Sequence, residues 1–289
     1  MTAEERQDTG LEQRRAVVDF FDWSYPWWRQ VYDRNLPRGF FSFEMIRRKE
    51  VVLEVVRDYL QDRFGLNILE CGCGPGGVLR ELPMTEQRVF GLDINPESLR
   101  IVRQDCQQAQ LVCGDLERLP FTAATFDIVL CVGVLSYLRE DREALVELSR
   151  LLKPGGLLVL ANPNLFMFDK LLDPFYPLVR PFTRLRQLIR KSEGKRPAGF
   201  TSCMIRRYRY GQLDQLYREL GLNKTREVCI SYGPLRFWRK ECLPVAQSIR
   251  ISEALVHLTP HRGFGFLTRL ANHWVTCLEK PARISAEEI

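Results

Sequence analysis

Glu70, Asp93 and Asp115 each stand at or just past the end of a short apolar run, and the loop LECGCGPGG at 69–77 surrounds the first of them. A glycine-rich loop between a strand and a helix offers backbone N–H groups and lets a ligand approach closely. The spacing Gly72, Gly74, Gly77 satisfies GxGxxG, which by itself also describes a dinucleotide site. The neighbouring carboxylates discriminate. Glu70, two residues before the first glycine, suits a cationic amino-acid ligand and would repel a pyrophosphate. Asp93, about 20 residues further on, can accept both hydroxyls of a ribose. Asp115, in GDLERLPF at 114–121, can accept from an exocyclic amine such as that of adenine.

These groups need a scaffold that ends several strands side by side, and residues 45–162 carry such a pattern. Met45, Val52, Val55, Val56, Tyr59 and Leu60 repeat at helical spacing and lead into a strand at 67–71. A second strand is expected at 88–93, then a helix opening at Asn95-Pro96-Glu97 with proline in its first turn, then a third strand at 110–113. FDIVLCVGV at 126–134 reads as a buried strand, EDREALVELSRLL at 140–152 as an amphipathic helix, and KPGG at 153–156 as a turn into a strand at 157–162. After an interruption, a helix at 210–222 and a strand at 224–232 follow; a second interruption at 239–270 precedes a last short strand at 273–281. Strict alternation predicts an α/β fold whose parallel sheet is covered on both faces.

In order and in spacing, ECGCGPG at 70–76, GLDIN at 91–95, GDLERLPF at 114–121, FDIVLCVGVLSYL at 126–138 and LLKPGGLLVLANPN at 151–164 resemble the successive motifs of class I S-adenosylmethionine-dependent methyltransferases. The branch most resembled includes quinone-biosynthesis and other small-molecule enzymes. The resemblance implies a Rossmann-like, doubly wound seven-stranded sheet, six strands parallel and the last antiparallel, with helical insertions after strand five and between strands six and seven. It also implies S-adenosylmethionine as cofactor. Glu70 and the loop Gly72, Gly74 and Gly76 would hold its methionine portion, Asp93 its ribose, and Asp115 with Leu116 its adenine. Val132 and Gly133 would close the pocket, and Cys73 and Ile94 join the cofactor-binding set. The expected organisation is an aromatic lid segment at 1–44, a cofactor-binding core at 45–164 continued at 210–238, a basic insertion at 165–209, a second insertion at 239–272, and a last strand with its tail at 273–289.

Methyl transfer from a sulfonium is an in-line displacement that disperses positive charge, so holding the nucleophile in place and excluding water are the main tasks. Oxygen is the expected acceptor atom, and a hydroxyl acceptor gains from a general base titrating near neutrality. The candidates are Tyr137 and, in the second insertion, His257 and His261. Tyr137, Asn162 and Asn164 fall just beyond strands four and five, at the edge where open α/β sheets bind ligands. Together with Trp23, Trp27 and Tyr32 from the aromatic-rich stretch 20–45, they form the expected acceptor pocket.

At 289 residues, 45% apolar and 27% charged, the chain fits one large globular domain, or one with a long insertion, and not a disordered polymer. No run approaches the roughly 20 uncharged apolar residues needed to cross a bilayer, and the opening MTAEERQDTG lacks a signal core. A cytoplasmic location is expected. The nine scattered cysteines read as reduced thiols, and Cys71-Gly-Cys73 has no second Cys or His pair at ligand spacing, so no metal is expected. The net charge of +6 is unevenly placed: residues 165–210 hold 11 Lys and Arg against 3 acids. Within 165–196 apolar residues at helical spacing alternate with Arg180, Arg184, Arg186, Arg190 and Lys191. That pattern suits the inner face of an anionic membrane and a small lipophilic acceptor presented there, such as a quinone precursor, isoprenoid, polyketide or lipid-linked sugar. Two rival readings are an RNA methyltransferase that uses the same charges and a catalytically silent cofactor-binding partner of another enzyme.

Overall fold

The computed structural model describes residues 3–32, 39–167, 206–237, 240–261 and 263–282. Helices α1 (Ala3–Val31) and α2 (Phe40–Leu60) precede β1 (Asn67–Cys71), β2 (Arg88–Asp93), α3 (Pro96–Asp105), β3 (Gln110–Cys113), β4 (Phe126–Val132), α4 (Asp141–Leu151) and β5 (Leu152–Pro163). Then come α5 (Asp214–Glu219), β6 (Asn223–Cys229), a small hairpin of β7 (Arg236–Phe237) and β8 (Lys240–Glu241), α6 (Val245–Leu258) and β9 (His273–Glu279). Seven strands form one sheet in the order β3-β2-β1-β4-β5-β9-β6, with β9 antiparallel to both of its neighbours. This is the doubly wound, Rossmann-like sheet anticipated from the motifs. The chain steps outward from β1 to β3 and then crosses back to β4, so the order reverses between β1 and β4. Such a switch point opens a crevice at the carboxyl ends of the strands.

Alternation along each strand divides the core between two faces. In β4, Ile128 and Leu130 point to the face covered by Val52, Val55 and Val56 of α2, whereas Val129 and Cys131 join Leu145 and Leu148 of α4; Phe126, before a register shift in the strand, joins the α4 side too. Each such side chain, fully buried, contributes about 1.5–3 kcal/mol. The sheet is therefore held rigidly from both sides, and what varies is what its ends present.

Two elements differ from the sequence reading. The KPGG stretch is not a free turn: β5 starts at Leu152, opposite Phe126, and the register slips before Ile128 meets Leu157. Residues 153–156 form a bulge there, with Lys153 Nζ 2.6 Å from Asp127 Oδ2. The helix expected at 210–222 shrinks to α5, because the Gln212 side chain accepts from the Arg209 N–H (3.0 Å) and holds the preceding residues in a turn.

Asn95 couples fold to site. Its side-chain oxygen accepts from the N–H groups of Glu97 (2.9 Å) and Ser98 (3.3 Å), capping α3, while its amide donates to Asp22 of α1 at 2.6 Å. Asn95→Ala is expected to cost about 0.5–2 kcal/mol in denaturant unfolding, and Asn95→Ser, which restores a cap, to recover most of it. Equal losses in the two variants would show that the cap is not the source.

Candidate functional site

The carboxyl edge of β1, β2 and β4 opens into a cavity of about 620 Å³, roofed by α1 and by the turn after β4. Glu70 reaches it from β1. The side chain is buried and its Oε2 has no hydrogen-bond partner. Burial pushes the Glu70 carboxyl up to about 8, and nearby Asp93 adds to the rise, against a backbone hydrogen bond at Leu79 and the charges of Arg48 and Arg80. Asp93, at the end of β2, accepts from Gly74 N (2.7 Å) and Asn95 N (2.9 Å), so the carboxylate ties the glycine loop to the start of α3. Burial raises its pKa, with those backbone donors pulling the other way.

The loop itself is shaped by close approach. Gly72 has φ 71°, and a Cβ there would lie 2.3 Å from Cγ2 of Val134. Gly133, at φ 77°, would place a Cβ 2.6 Å from an Nη atom of Arg48. Both positions need glycine for conformation and for space.

Arg48, on α2, brings a guanidinium into the same cavity as the Glu70 carboxyl. It is buried, its Nη2 donates to the Tyr32 hydroxyl at 2.8 Å, and its Nε has no partner. One turn earlier on the same helix, buried Glu44 accepts from Ser231 Oγ (2.5 Å) and Asn272 Nδ2 (2.6 Å), anchoring α2 to the start of β9. His273 Nδ1 lies 3.8 Å from Glu44, a charge neighbour too distant to be a hydrogen-bond partner. Burial holds the His273 pKa below its ordinary value, helped by Arg48 and Arg207 and opposed by Glu44. Burial alone would raise Glu44, but His273 and the two hydrogen bonds bring it below the usual carboxylate value.

At the far end, Asp115 is bridged by Arg14 of α1 at 2.8 Å, and the same guanidinium reaches Glu117 at 2.6 Å. The roof between is aromatic. Phe21 meets Tyr137 edge to face at 5.3 Å between ring centres, and Trp28 stacks on Tyr32 at 6.0 Å.

Of the residues expected from sequence, Glu70, Gly72, Cys73, Gly74, Asp93, Ile94, Asp115, Leu116, Val132 and Gly133 line this one cavity, as do Tyr32 and Tyr137. Gly76 lies in the loop behind it, its α-carbon facing Arg80 and Val102. Trp23 and Trp27 are on the outer side of α1, 64% and 44% exposed. Asn162 is buried, and Asn164 is turned away, donating to the carbonyls of Phe166, Arg269 and Ala271. His257 and His261 are exposed and outside the cavity. Cys71 and Cys73 are buried thiols pushed well above their ordinary pKa by burial, and no group of His, Cys, Asp or Glu among the described residues could hold a metal ion. Most of the basic insertion, from 168 to 205, lies outside the described residues.

Missed from sequence were Arg48 and Arg14, and Phe21 and Trp28 of the aromatic stretch were not among the residues chosen for the pocket. For the aromatics a signal existed: Val17, Phe21, Trp28 and Tyr32 share one stripe at helical period, and Trp23 and Trp27 fall on another. For Arg48, in the run RRKE at 47–50, composition gives no signal, and Lys49 beside it is buried as well; only its place three residues after Met45 and four before Val52, on the apolar stripe of α2, marks it.

Comparison with known proteins places this geometry. A family model described as a methyltransferase domain matches residues 69–160. The demethylmenaquinone methyltransferase of Tropheryma whipplei strain Twist is 30% identical over 221 residues, spanning 73% of this chain and 86% of that protein. The 24-methylenesterol C-methyltransferase 2 of Oryza sativa subsp. japonica is 31% identical over 152 residues, 50% of this chain and 40% of its own. The crystal structure of magnesium protoporphyrin IX methyltransferase from Synechocystis PCC 6803 with bound SAH shares the fold at a TM-score of 0.58 and 16% identity, covering 93% of this chain and 99% of that one. The fold and site define a class I S-adenosylmethionine-dependent enzyme. The chain belongs to that methyltransferase family, and S-adenosylmethionine is its cofactor.

Proposed function

We propose that this enzyme methylates a small lipophilic acceptor, at oxygen, beneath the aromatic roof of α1. The observation that carries the reading is the division of one cavity: carboxylates along the strand ends, and Val17, Val18, Phe21 and Trp28 above them. An orphaned, buried Glu70 oxygen and an orphaned, buried Arg48 Nε lie in the same cavity, a carboxyl and a guanidinium that suit the ammonium and the carboxylate at the zwitterionic end of the cofactor. In this reading Glu70 takes its ammonium and Arg48 its carboxylate, Asp93 the ribose, and Asp115 the adenine amine. The bound cofactor supplies an electrophilic methyl group on a sulfonium.

The chain's own residues orient and desolvate. Phe21, Trp28 and Tyr137 exclude water above the reacting edge, and their apolar surfaces select a flat or aliphatic acceptor. The names of the two relatives above, one for demethylmenaquinone and one for a sterol, are consistent with a lipophilic acceptor. Such an acceptor is met most readily at a membrane surface. Among the described residues no helix is long and apolar enough to cross a membrane.

Two measurements test the proposal. Calorimetric titration with S-adenosylhomocysteine should show binding that Asp93→Ala weakens by about 1–3 kcal/mol, the loss of charge-assisted hydrogen bonds. A screen with radiolabelled S-adenosylmethionine and lipophilic phenols should then show transfer that Phe21→Ala and Trp28→Ala reduce mainly through the acceptor KM. Transfer confined to carbon or nitrogen acceptors, or to RNA, would overturn it.

A further inference from the structure

Apolar surface is exposed very unevenly on this protein. Apart from Phe64 and Val146, every large apolar side chain left widely exposed among the described residues belongs to a segment at the carboxyl edge of the sheet. Phe166, 52% exposed, follows the end of β5 by three residues. Ile251 and Leu258 of α6, seven residues apart and so on one face of the helix, are 37% and 39% exposed. Phe264 and Phe266, in the 3₁₀ turn region after α6, are 41% and 59% exposed.

Hydrogen bonds fix these segments to that edge. Ser252 of α6 accepts from Tyr232 N, three residues past the end of β6. Asn164 Nδ2 donates to both the Phe166 and the Arg269 carbonyls, bringing the chain after β5 against the 3₁₀ helix Gly265–Leu270. In a 3₁₀ helix residues three apart eclipse, so Phe266 and Arg269 share a face. Helix α6 buries Ser248 and Ser252, with Leu255 and Val256 packed against the core, and leaves the aliphatic Ile251 and Leu258 exposed on its outer side. The cavity opens at the same edge, roofed by α1 with Trp23 on its outer side.

On the segments that carry these side chains, 164–167, 206–209 and 245–270, the exposed charges among the described residues are Arg209, Arg250 and Arg269 against one acid, Glu253, and Arg209 lies 5.5 Å over the Phe166 ring. The chain leaves this edge at Met167 and returns to it at Arg206, and the sequence between, 168–205, holds 8 Lys and Arg against 3 acids. Exposed phenylalanines set among arginines match the interface of an anionic bilayer, where rings enter the acyl boundary and guanidinium groups meet phosphate.

We propose that Phe166, Ile251, Leu258, Phe264 and Phe266, with Arg250 and Arg269, form a docking face that seats the carboxyl edge of the sheet on an anionic membrane surface. The inference rests on the lipophilic-acceptor reading and gives it a route: the acceptor passes from the bilayer to the cavity along one edge of the molecule without crossing bulk water.

The test is flotation of the full chain with vesicles of phosphatidylcholine alone or mixed with phosphatidylglycerol, alongside S-adenosylhomocysteine calorimetry on every variant. The native chain should bind the mixed vesicles and bind the neutral ones much more weakly. Phe264→Ser with Phe266→Ser should reduce binding about tenfold or more, and Arg250→Glu or Arg269→Glu about fivefold or more each, since each removes one attractive charge and adds a repulsive one. Phe64→Ser, at the opposite edge, should leave it unchanged. Absence of vesicle binding by a native chain that still binds S-adenosylhomocysteine would overturn the membrane face and leave the methyltransferase site standing. Vesicle binding indifferent to the paired phenylalanine variant would overturn it too. A concentration-dependent dimer in sedimentation velocity, lost in that variant, with no vesicle binding, would replace the membrane with a second copy of the chain.

Discussion

Replacing Arg48 with methionine is expected to weaken S-adenosylhomocysteine binding by about 1.5–3 kcal/mol, the value of a hydrogen bond to a charged group, while binding of 5′-methylthioadenosine changes little. The second ligand keeps the nucleoside and the sulfur but has neither ammonium nor carboxylate. A loss confined to the first ligand would therefore locate Arg48 at the amino-acid end. An arginine with its Nε buried and unpartnered is costly to keep unless something completes its hydrogen bonds, and the open space beside it is the cavity. The side chain is also held in place: Tyr32 fixes one Nη, Gly133 leaves room for the guanidinium, and Glu44 pins the helix one turn back. Arg48→Lys should recover part of the loss, since an ammonium supplies the charge without the planar fork. Equal weakening of both ligands would mean that the substitution disturbs the cavity as a whole and that the carboxylate assignment is wrong.

The strands of the core and the carboxylates at their ends are legible in the amino-acid sequence because each obeys a short-range rule. A continuous apolar run marks β4, a glycine loop follows β1, and Asn95-Pro96 starts α3, so local pattern alone places Glu70, Asp93 and Asp115 at neighbouring strand ends. Arg48 and His273 depend on contacts between residues far apart in sequence. Ser231 and Asn272 meet Glu44 from 187 and 228 residues away, and no spacing rule reports that. The aromatic stretch is legible in composition but not in direction. Treated as an undivided lid segment, it suggests Trp23 and Trp27 for the pocket; treated as one helix, it turns Phe21 and Trp28 inward and those two outward. Position in sequence also misleads where a side chain has a local partner. Asn164 stands beyond β5, where a ligand group is expected, yet its amide is committed to three backbone carbonyls.

Glu70 should make both stability and cofactor binding depend on pH, in opposite senses. In the free protein its carboxyl titrates at about 8, raised from the ordinary 4.5 chiefly by burial. A group whose folded pKa is raised contributes stability that is complete below the unfolded value and is lost as pH climbs through the folded one, at up to about 1.4 kcal/mol per pH unit for a single proton. The stability difference between the native chain and Glu70→Gln, followed by denaturant unfolding, should therefore move against the native chain from about pH 5 to pH 8. His273 and Glu44, both held below their ordinary values, act with the reverse sign: their contribution is present above the unfolded pKa and fades as pH falls. Those groups are common to both chains, so the difference curve isolates Glu70. An ammonium placed against Oε2 favours the ionised carboxylate, so S-adenosylhomocysteine binding at pH 7 should release close to one proton. The release appears as a dependence of calorimetric enthalpy on the ionisation enthalpy of the buffer, and Glu70→Gln should abolish it. A native chain that binds S-adenosylhomocysteine without releasing a proton would mean either that Glu70 is already ionised in the free protein or that it does not face the ammonium. The pH dependence of the Glu70→Gln stability difference separates these two, because only an ionised carboxyl would leave that difference flat between pH 6 and 8.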